Sequence, residues 1–199
     1  MSRALRAVCV FCGAAGGGDP GYVEAARRTG GLLAQAGIEL VYGGGHVGTM
    51  GALADAALAA GGRVLGVIPR HLMRPEVAHQ GLTELRVVDS MHERKQVMAE
   101  RADAFLVLPG GYGTLDETFE IVTWRQLELH RKPVALVNLG GYFDHLLAFL
   151  AHAVHEGFVH APQRRLLHAE KTSEAALAWL EREATHGASA TPPHRTGGR

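Results

Sequence analysis

Cysteine is scarce in this sequence, which has only Cys9 and Cys12 among its 199 residues. Their C-x-x-C spacing leaves two functional alternatives, a redox pair and part of a zinc site. Both lie in the apolar run at residues 7–12, which is typical of a strand, and side chains three positions apart on a strand point to opposite faces. No further ligands follow at a zinc-binding spacing. We therefore predict two small, buried apolar side chains and no metal site.

The sequence also lacks a surplus of either charge. Lys+Arg and Asp+Glu number 20 each, so the formal net charge is zero, and there is no basic excess to bind a nucleic acid non-specifically. No apolar run is long enough to span a membrane, and the first residues do not form a signal peptide with a cleavage site. We expect a cytoplasmic protein whose partner is neither a nucleic acid nor a membrane.

What is present is a regular alternation of strand and helix patterns. The strands are short and rich in Val and Leu without polar alternation, as in parallel strands that are buried on both faces. This order predicts an α/β protein with a doubly wound parallel sheet. The predicted strands span residues 5–12, 39–42, 63–68, 84–88, 104–108, 133–138 and, at one edge, 168–171. The predicted helices span residues 20–36, 49–60, 90–102, 115–129, 144–156 and 172–184.

Local signals support the ends of these elements and the extent of the domain. Asp19 is the expected N-cap of the first helix, and Ser90 with Glu93 forms an S-x-x-E capping box at another helix start. The chain length suits one domain with a full hydrophobic core. We predict a single domain over residues 1–186 and a disordered polar tail at residues 187–199.

Three glycine-rich turns each follow a predicted strand. They occupy residues 13–18, 43–51 and 109–113. Glycines can adopt positive φ and let the backbone approach an anion closely. The last two turns lead into helices, whose N-termini attract negative charge. Because the carboxyl ends of parallel strands share one edge of the sheet, we expect one nucleotide-sized site at that edge.

Glu117 is the first candidate for a chemical role. It lies beside Asp116 in what the pattern predicts as the first turn of a helix. In one interpretation Thr114 and Glu117 form a T-x-x-E capping box, and Asp116 is a surface acid that complements the helix dipole. In the other, the preceding glycines expose this helix end to a ligand and place a reactive carboxylate beside it. The glycine run favours the second interpretation.

Arg94 is the second candidate. Met91, Arg94, Lys95 and Met98 follow the i, i+3, i+4, i+7 spacing of one helix face, and the methionines indicate that this face points inward. An inward-facing arginine needs an anionic partner. It either forms a structural ion pair with a core carboxylate or offers its guanidinium group to a phosphate or to Glu117.

Other motifs are weak or missing. Residues 43–48 match the G-x-G-x-x-G dinucleotide fingerprint, but the acid expected after the next strand is absent. Arg70 could instead meet a 2′-phosphate, which leaves an NADP-dependent oxidoreductase as an alternative. His152 and His155 have no acid-bearing zinc motif around them and are predicted to be exposed helix residues. The sequence contains neither a G-x-S-x-G nucleophile elbow nor a G-x-x-x-x-G-K-[ST] phosphate loop.

Together these motifs resemble a known family. Pro109-Gly110-Gly111-Tyr112-Gly113-Thr114-Leu115-Asp116-Glu117 matches the pattern PGGxGTxxE, and it occurs with Met91-His92-Glu93-Arg94-Lys95 and Tyr42-Gly43-Gly44-Gly45. The chain is therefore similar to the LONELY GUY (LOG) family of cytokinin riboside 5′-monophosphate phosphoribohydrolases, over about residues 5–184. Some relatives carry an older label, lysine decarboxylase, but this sequence offers no lysine context for pyridoxal phosphate.

The resemblance implies a Rossmann-like homodimer that needs no cofactor. It would cleave the N-glycosidic bond of a nucleoside monophosphate and release the base and ribose 5-phosphate, with Arg94 and Glu117 as the catalytic pair. Relatives often carry serine at the position of Ala14 and leucine at that of Thr49, so backbone donors would replace one side-chain contact to the phosphate. The implied substrate-binding residues are Glu76, Arg94, Lys95, Gly111, Tyr112, Gly113, Thr114, Leu115, Asp116, Glu117 and Thr123, and the implied phosphate-loop residues are Gly43, Gly44, Gly45, Thr49 and Gly110.

The predicted chemistry depends on that catalytic pair. Glycosidic cleavage passes through a ribosyl cation of oxocarbenium character, which a carboxylate near the anomeric carbon can stabilise while it orients the attacking water. Both the helix N-terminus and Arg94 are expected to lower the pKa of Glu117, which favours a base or electrostatic stabiliser over a general acid. The sequence leaves the base open between adenine and N6-modified adenines such as isopentenyladenine. A non-catalytic nucleotide-binding protein is the main alternative.

Overall fold

A seven-stranded sheet forms the centre of the computed structural model, which describes residues 5–74 and 77–187. Every pair of neighbouring strands is parallel. The strands are β1 (Ala7–Phe11), β2 (Glu39–Tyr42), β3 (Val64–Pro69), β4 (Glu84–Val88), β5 (Ala104–Val107), β6 (Val134–Val137) and β7 (His168–Glu170). Their order across the sheet is β4-β3-β2-β1-β5-β6-β7.

Helices cover both faces of this sheet. Residues of three helices join the core on one face, and residues of the other three pack on the opposite face. The first set is α1 (Pro20–Gln35), α2 (Gly48–Ala59) and α6 (Ser173–Gly187), and the second set is α3 (Met91–Arg101), α4 (Tyr112–Gln126) and α5 (Asp144–His155). The predicted single-domain, doubly wound α/β fold is therefore confirmed. None of these helices has the length and hydropathy needed to cross a lipid bilayer.

The predicted element ends agree closely with the structure at most positions. Asp19 Oδ1 accepts a hydrogen bond from Gly21 N–H at 2.8 Å, and Ser90 Oγ accepts one from Glu93 N–H at 3.1 Å. Glu93 Oε2, however, accepts from the N–H of Asp89 at 2.9 Å and not from that of Ser90. The carboxylate of Glu93 thus caps the N–H of Asp89, one residue before the predicted partner Ser90.

The predicted boundaries differ most from the structure, by three residues each, at the end of α6 and at both ends of α4, and the start of α4 matters for the site. The prediction began this helix at Leu115, whereas the observed helix begins at Tyr112, with Gly111 as its N-cap in an extended conformation. At the other end of the chain, α6 includes Gly187, the first residue of the predicted tail. Residues 188–199 lie outside the described part of the chain.

The two cysteines lie in the two separate halves of the core. Cys9 packs with the residues of α3 and α4, whereas Cys12 packs with those of α1 and α2. Both are free and buried, and burial raises the pKa of Cys12 to about 12. Neither thiol is therefore activated at neutral pH, and the prediction of two buried core side chains is confirmed.

Strand β1 is the point at which the chain changes direction across the sheet. It pairs with β2 on one side and with β5 on the other. The connections after β1 and β5 therefore diverge to opposite faces of the sheet, and a crevice opens between them at the carboxyl edge. This topology determines where the candidate site lies.

The connection between β3 and β4 passes close to the turn after β2. Ala78 forms an isolated antiparallel bridge with Gly45. His46 N–H donates to the carbonyl of Val77, and His79 N–H donates to the carbonyl of Gly44, both at 2.9 Å. The turn and this connection are thus held together by backbone hydrogen bonds.

Candidate active site

A cleft of about 650 Å³ opens at the carboxyl edge of the sheet, where the turns after β1, β2 and β5 meet. Its volume lies within the range of roughly 300–1,000 Å³ that is usual for small-molecule sites. All three predicted glycine-rich turns contribute to its walls. The predicted site residues that line it are Gly43, Gly45, Thr49, Arg94, Gly110, Gly111, Tyr112, Gly113, Thr114 and Glu117.

Arg94 and Glu117 form an ion pair in the wall of this cleft. Arg94 comes from α3 and Glu117 from α4, and Nη1 of the arginine lies 3.2 Å from Oε1 of the glutamate. The two side chains are only 12% and 8% exposed. Nε of Arg94 also donates to the carbonyl oxygen of Val67 in β3, at 3.1 Å. The expected inward-facing arginine thus has an anionic partner, and that partner faces the cleft.

The pKa of Glu117 is raised above its ordinary value of 4.5, in contrast to the predicted lowering. Burial is the largest cause, the charge of Arg94 acts in the opposite direction, and Asp116 adds to the rise. The prediction was wrong because it placed Glu117 at an exposed helix end. In the structure, α4 begins at Tyr112, so Glu117 lies in the second turn and below the surface.

The capping-box interpretation of Glu117 is also wrong. The N-cap of α4 is Gly111, which has no side chain to accept a hydrogen bond, and Thr114 lies inside the helix. The N–H groups of Tyr112, Gly113 and Thr114 precede the first intrahelical hydrogen bond, which Leu115 N–H donates to the carbonyl of Gly111. These three residues line the cleft, so their backbone donors are available to an anionic ligand.

The N-terminus of α2 supports the opposite wall of the cleft. Thr49 Oγ1 donates to the carbonyl oxygen of Gly13 at 2.7 Å, and Met50 N–H donates to the same oxygen at 3.3 Å. The hydroxyl of Thr49, expected in a phosphate loop, is thus engaged in holding the turn after β1. Ala14 lies in that turn and lines the cleft.

Lys95 lies outside the cleft, although the resemblance implied that it binds substrate. Its Nζ pairs with Asp116 Oδ2 at 3.2 Å and with Glu120 Oε2 at 3.0 Å. Partial burial lowers the pKa of Lys95, but its hydrogen bonds to Glu120 and Asp116 outweigh this effect and raise the pKa overall. Lys95 therefore joins α3 to α4, next to the Arg94–Glu117 pair.

Several other implied site residues do not line the cleft. The side chain of Asp116 is 60% exposed, Thr123 is exposed near the end of α4, and Leu115 packs partly against the core. Gly44 is part of the turn after β2 but packs against Ile68 and does not line the cleft. Glu76 falls outside the described residues.

The sequence did not reveal two tyrosines that line the cleft. Tyr142 donates from its hydroxyl to the carbonyl oxygen of Gly110 at 2.7 Å, and its ring meets that of Tyr22 edge-on, with centroids 5.5 Å apart. Tyr22 is on α1 and Tyr142 precedes α5, so no spacing in the sequence links them. Met50, Leu72 and Val77 form part of an apolar wall of the same cleft.

Arg70 and the histidine pair, two other features singled out in the sequence, do not line the cleft. Arg70, the residue that could have met a 2′-phosphate, instead donates from Nε to Asp89 at 3.2 Å and does not line the cleft. His152 and His155 are exposed, as predicted. An acid does lie beside them, because Glu156 and the two histidines offer ligand atoms within 4.8 Å of one another.

Fold and cleft together define a Rossmann-type α/β protein with a nucleotide-sized site beside a buried arginine–glutamate pair. A family model described as "possible lysine decarboxylase" matches residues 50–180. A probable cytokinin riboside 5′-monophosphate phosphoribohydrolase of Oryza sativa subsp. japonica, LOGL5, is 50% identical over 177 residues, which cover 89% of this chain and 72% of that protein. LOG7 of Arabidopsis thaliana is 47% identical over 89% of this chain and 82% of its own length. The chain belongs to the LOG family.

Solved structures show the same fold at much lower sequence identity. A molybdenum cofactor carrier protein from Chlamydomonas reinhardtii has a TM-score of 0.67 and is 19% identical, over 89% of this chain and 97% of that one. A molybdenum cofactor binding protein from Rippkaea orientalis also has a TM-score of 0.67, at 20% identity, over 92% of this chain and 98% of that one. These matches bear on the fold alone.

The site does not fit pyridoxal phosphate, the cofactor that the decarboxylase label would imply. That cofactor is held as a Schiff base with a lysine. The sequence has three lysines, and none of them lines the cleft. Lys95 is paired with two carboxylates, and Lys132 Nζ donates to the carbonyl oxygen of Ala99 at 2.6 Å. We therefore derive no chemistry from this cofactor.

Proposed function

We propose that this protein hydrolyses the N-glycosidic bond of adenosine 5′-monophosphates, including N6-modified ones, and releases the free base and ribose 5-phosphate. The observation that carries the proposal is the buried Arg94–Glu117 pair, which lines the same cleft as the free N-terminus of α4. The relatives named above as phosphoribohydrolases support it. A cytoplasmic location and a homodimeric assembly are parts of the same proposal.

The N-terminus of α4 would hold the phosphate. Tyr112, Gly113 and Thr114 present backbone N–H groups without intrahelical acceptors, at the end of the helix where the dipole is positive. A nucleoside without the phosphate would lose these interactions. Since binding energy from a remote group can be used to lower the barrier at the reacting bond, the monophosphate would be the better substrate.

Glu117 would act at the anomeric carbon. Water attacks C1′ as the bond from C1′ to the base nitrogen breaks, and the electron pair of that bond passes to the base. The carboxylate stabilises the ribosyl cation and takes a proton from the attacking water. Because burial raises the pKa of Glu117, the carboxyl group can return this proton to the leaving base. The products are then the neutral base and ribose 5-phosphate.

Arg94 would keep Glu117 ionised and in position. Its guanidinium charge is the largest contribution that lowers the pKa of the carboxyl group against the effect of burial. Its second hydrogen bond, to the carbonyl of Val67, anchors it to a buried strand of the sheet. The pair thus supplies a carboxylate of fixed orientation, and both of its side chains are largely shielded from water.

The test is to incubate the protein with AMP, isopentenyladenosine 5′-monophosphate and the two matching nucleosides, and to measure free base by liquid chromatography. We expect base from one or both monophosphates and almost none from the nucleosides. Equal rates on AMP and adenosine would contradict the role given to the phosphate. AMP binding without release of base from any substrate would favour a non-catalytic nucleotide-binding protein.

A further inference from the structure

Gly43 contacts the catalytic pair from the turn after β2. If this glycine carried a Cβ atom, that atom would overlap Nη2 of Arg94 and would lie 3.3 Å from its Cζ. The backbone of Gly43 is not in the left-handed region, so its conformation does not require glycine. Gly43 therefore matters for the space that it leaves, and the guanidinium group occupies that space.

The guanidinium group has little freedom to move away. On one side Nε donates to the carbonyl of Val67, which is backbone in the buried strand β3. On another side Nη1 pairs with Glu117 and contacts the sulfur of Met91 at 3.8 Å. The planar guanidinium makes these contacts in fixed directions, so a displacement by the width of a methyl group must break one of them.

We propose that Gly43 is a positioning residue for Arg94, and that its lack of a side chain serves the catalytic pair and not the binding of phosphate. The inference rests on the proposed function for its effect on turnover, but its structural part is independent of that function. It revises the expectation that the glycines of this turn serve to bring the backbone close to an anion. The group that lies against Gly43 is the guanidinium cation of Arg94, not an anionic ligand.

The contacts of Arg94 with Val67 and Glu117 determine what a larger residue at position 43 would do. An alanine at position 43 would push the guanidinium group away from Val67, from Glu117 or from both. Weakening the pair moves the guanidinium charge away from Glu117 and so reduces the largest contribution that lowers its pKa. The carboxyl group would then be protonated at a higher pH. A misplacement of about 1 Å in such a site can reduce turnover by about a hundredfold.

The structural part is tested with Gly43→Ala by NMR, in the full-length protein. The Nε–H of Arg94, a hydrogen-bonded and nearly buried donor, gives a signal that is assigned by its loss in Arg94→Lys. We expect this signal to shift and to exchange faster with water in Gly43→Ala. The matched control is Gly31→Ala on α1, where a Cβ meets nothing within 4 Å and φ is not positive; it should leave the signal unchanged. An unchanged signal in a folded Gly43→Ala protein would overturn the proposal.

The functional part is tested with a double-mutant cycle on AMP hydrolysis. We expect Gly43→Ala to reduce kcat by about a hundredfold, and to have almost no further effect in the Arg94→Ala background, because it acts through Arg94. An equal loss in both backgrounds would overturn the positioning role. If the wild-type protein releases no base, the proposed function fails, while the NMR result still decides the role of Gly43. Thermal melts identify any variant that fails to fold. If Gly43→Ala fails to fold because its Cβ overlaps Arg94, the added Arg94→Ala substitution should restore folding, and failure to restore it would overturn the proposal.

Discussion

Helices α2 and α4 both begin after a glycine-rich turn at the same edge of the sheet, but the two turns have different surroundings. At α4, a Cβ on Gly111 or Gly113 would meet nothing within 4 Å, and Tyr112 is 93% exposed. At α2, a Cβ on Gly48 would collide with the backbone of Ala14, and one on Gly51 would collide with the carbonyl of His46. The turn at α4 is open at Gly111 and Gly113, although Gly110 before them packs against Thr114 and Gly13. The turn at α2 is closely packed against the protein.

This difference shows that glycine content alone does not identify a ligand-binding turn. In the open turn, the missing side chains leave helix N–H groups accessible to a ligand. In the packed turn, the missing side chains let the chain segments after β1 and β2 approach each other and leave room for Arg94. The predictions below test this division, from the largest expected effect to the smallest.

The largest effect is expected at the helix that begins with the open turn. Glu117→Gln removes the negative charge that faces the ribosyl cation, so kcat should fall by about 10²–10³. The free energy of unfolding should fall by up to about 3–5 kcal/mol, because the buried guanidinium group of Arg94 loses its charged partner and keeps only a neutral acceptor. Turnover, melting temperature and AMP binding by calorimetry measure these effects. Glu24→Gln on α1, an exposed carboxylate that does not line the cleft, is the matched control.

Near-normal turnover of Glu117→Gln would break the assignment. The carboxylate of Glu117 would then be structural, and Asp116 would become the first candidate for the catalytic acid or base. Asp116→Asn would distinguish these two assignments in the same assay.

The pH dependence gives a second test of the same side chain. Because burial raises the pKa of Glu117 above 4.5, the acid limb of the pH–rate profile should lie above that value. Arg94→Ala removes the charge that opposes this rise, so the limb should move further up, in addition to a large loss of rate. If the acid limb does not move in Arg94→Ala, Arg94 does not control the protonation of Glu117, and the proposed pairing of their roles would be wrong.

The titration of Glu117 should also change the free energy of unfolding, in a direction that follows from its raised pKa. The pKa of Glu117 is higher in the folded than in the unfolded state, so the folded state binds the extra proton. As the pH rises from 4.5 through the folded-state pKa, Glu117 should therefore lower the free energy of unfolding. Urea unfolding across this range should show that this part of the pH dependence is missing in Glu117→Gln.

Alanine substitutions compare the two turns directly. Gly48 has φ of +61° and its Cβ would collide with backbone, so Gly48→Ala should lower the free energy of unfolding by about 1–3 kcal/mol. Gly113 is in the first turn of α4 with open space around it, so Gly113→Ala should raise the free energy of unfolding by up to about 1 kcal/mol. Urea unfolding at pH 7 measures both. Equal effects at the two sites would contradict the division into an open and a packed turn.

The smallest effect is expected at Thr49. Thr49→Val removes the hydrogen bond to the carbonyl of Gly13 and should cost about 1 kcal/mol of stability. Thr49→Ser keeps the hydroxyl and should retain most of that hydrogen bond. If Thr49→Val instead left stability unchanged and weakened AMP binding, its hydroxyl would be a ligand contact and not part of the packed turn.

The fold could be predicted from the sequence because strands that are buried on both faces must be apolar throughout. The apolar runs at β1, β2 and β5, each followed by glycines, identified the sheet and the edge that carries the cleft. The first residue of α4 could not be predicted in the same way. Thr114 and Glu117 have the spacing of a capping box, and only the backbone at Gly111 shows that the helix begins three residues earlier.

Part of the site could be predicted because the spacing of residues on a helix shows which side chains share a face. The spacing on α3 indicated that Arg94 points inward, and its partner Glu117 was already a candidate. The same spacing placed Lys95 on this inward face, and the resemblance implied a contact with substrate. Lys95 does not line the cleft, because it pairs with Asp116 and Glu120 of α4. Tyr22 and Tyr142 meet only through the tertiary structure, so neither spacing nor composition could have linked them.

The central position of β1 has a consequence for the order in which the protein folds. Val8 must pair with Ala104, so the sheet cannot close until about half of the chain has been synthesised and collapsed. Long-range pairing of this kind is slow, because loop-closure entropy must be overcome first. The units from β1 to β3, with local βαβ connections, can form early. Arg94 lies before β5 in the chain and Glu117 after it, so β5 must pair with β1 before the ion pair can face the turns that form the cleft.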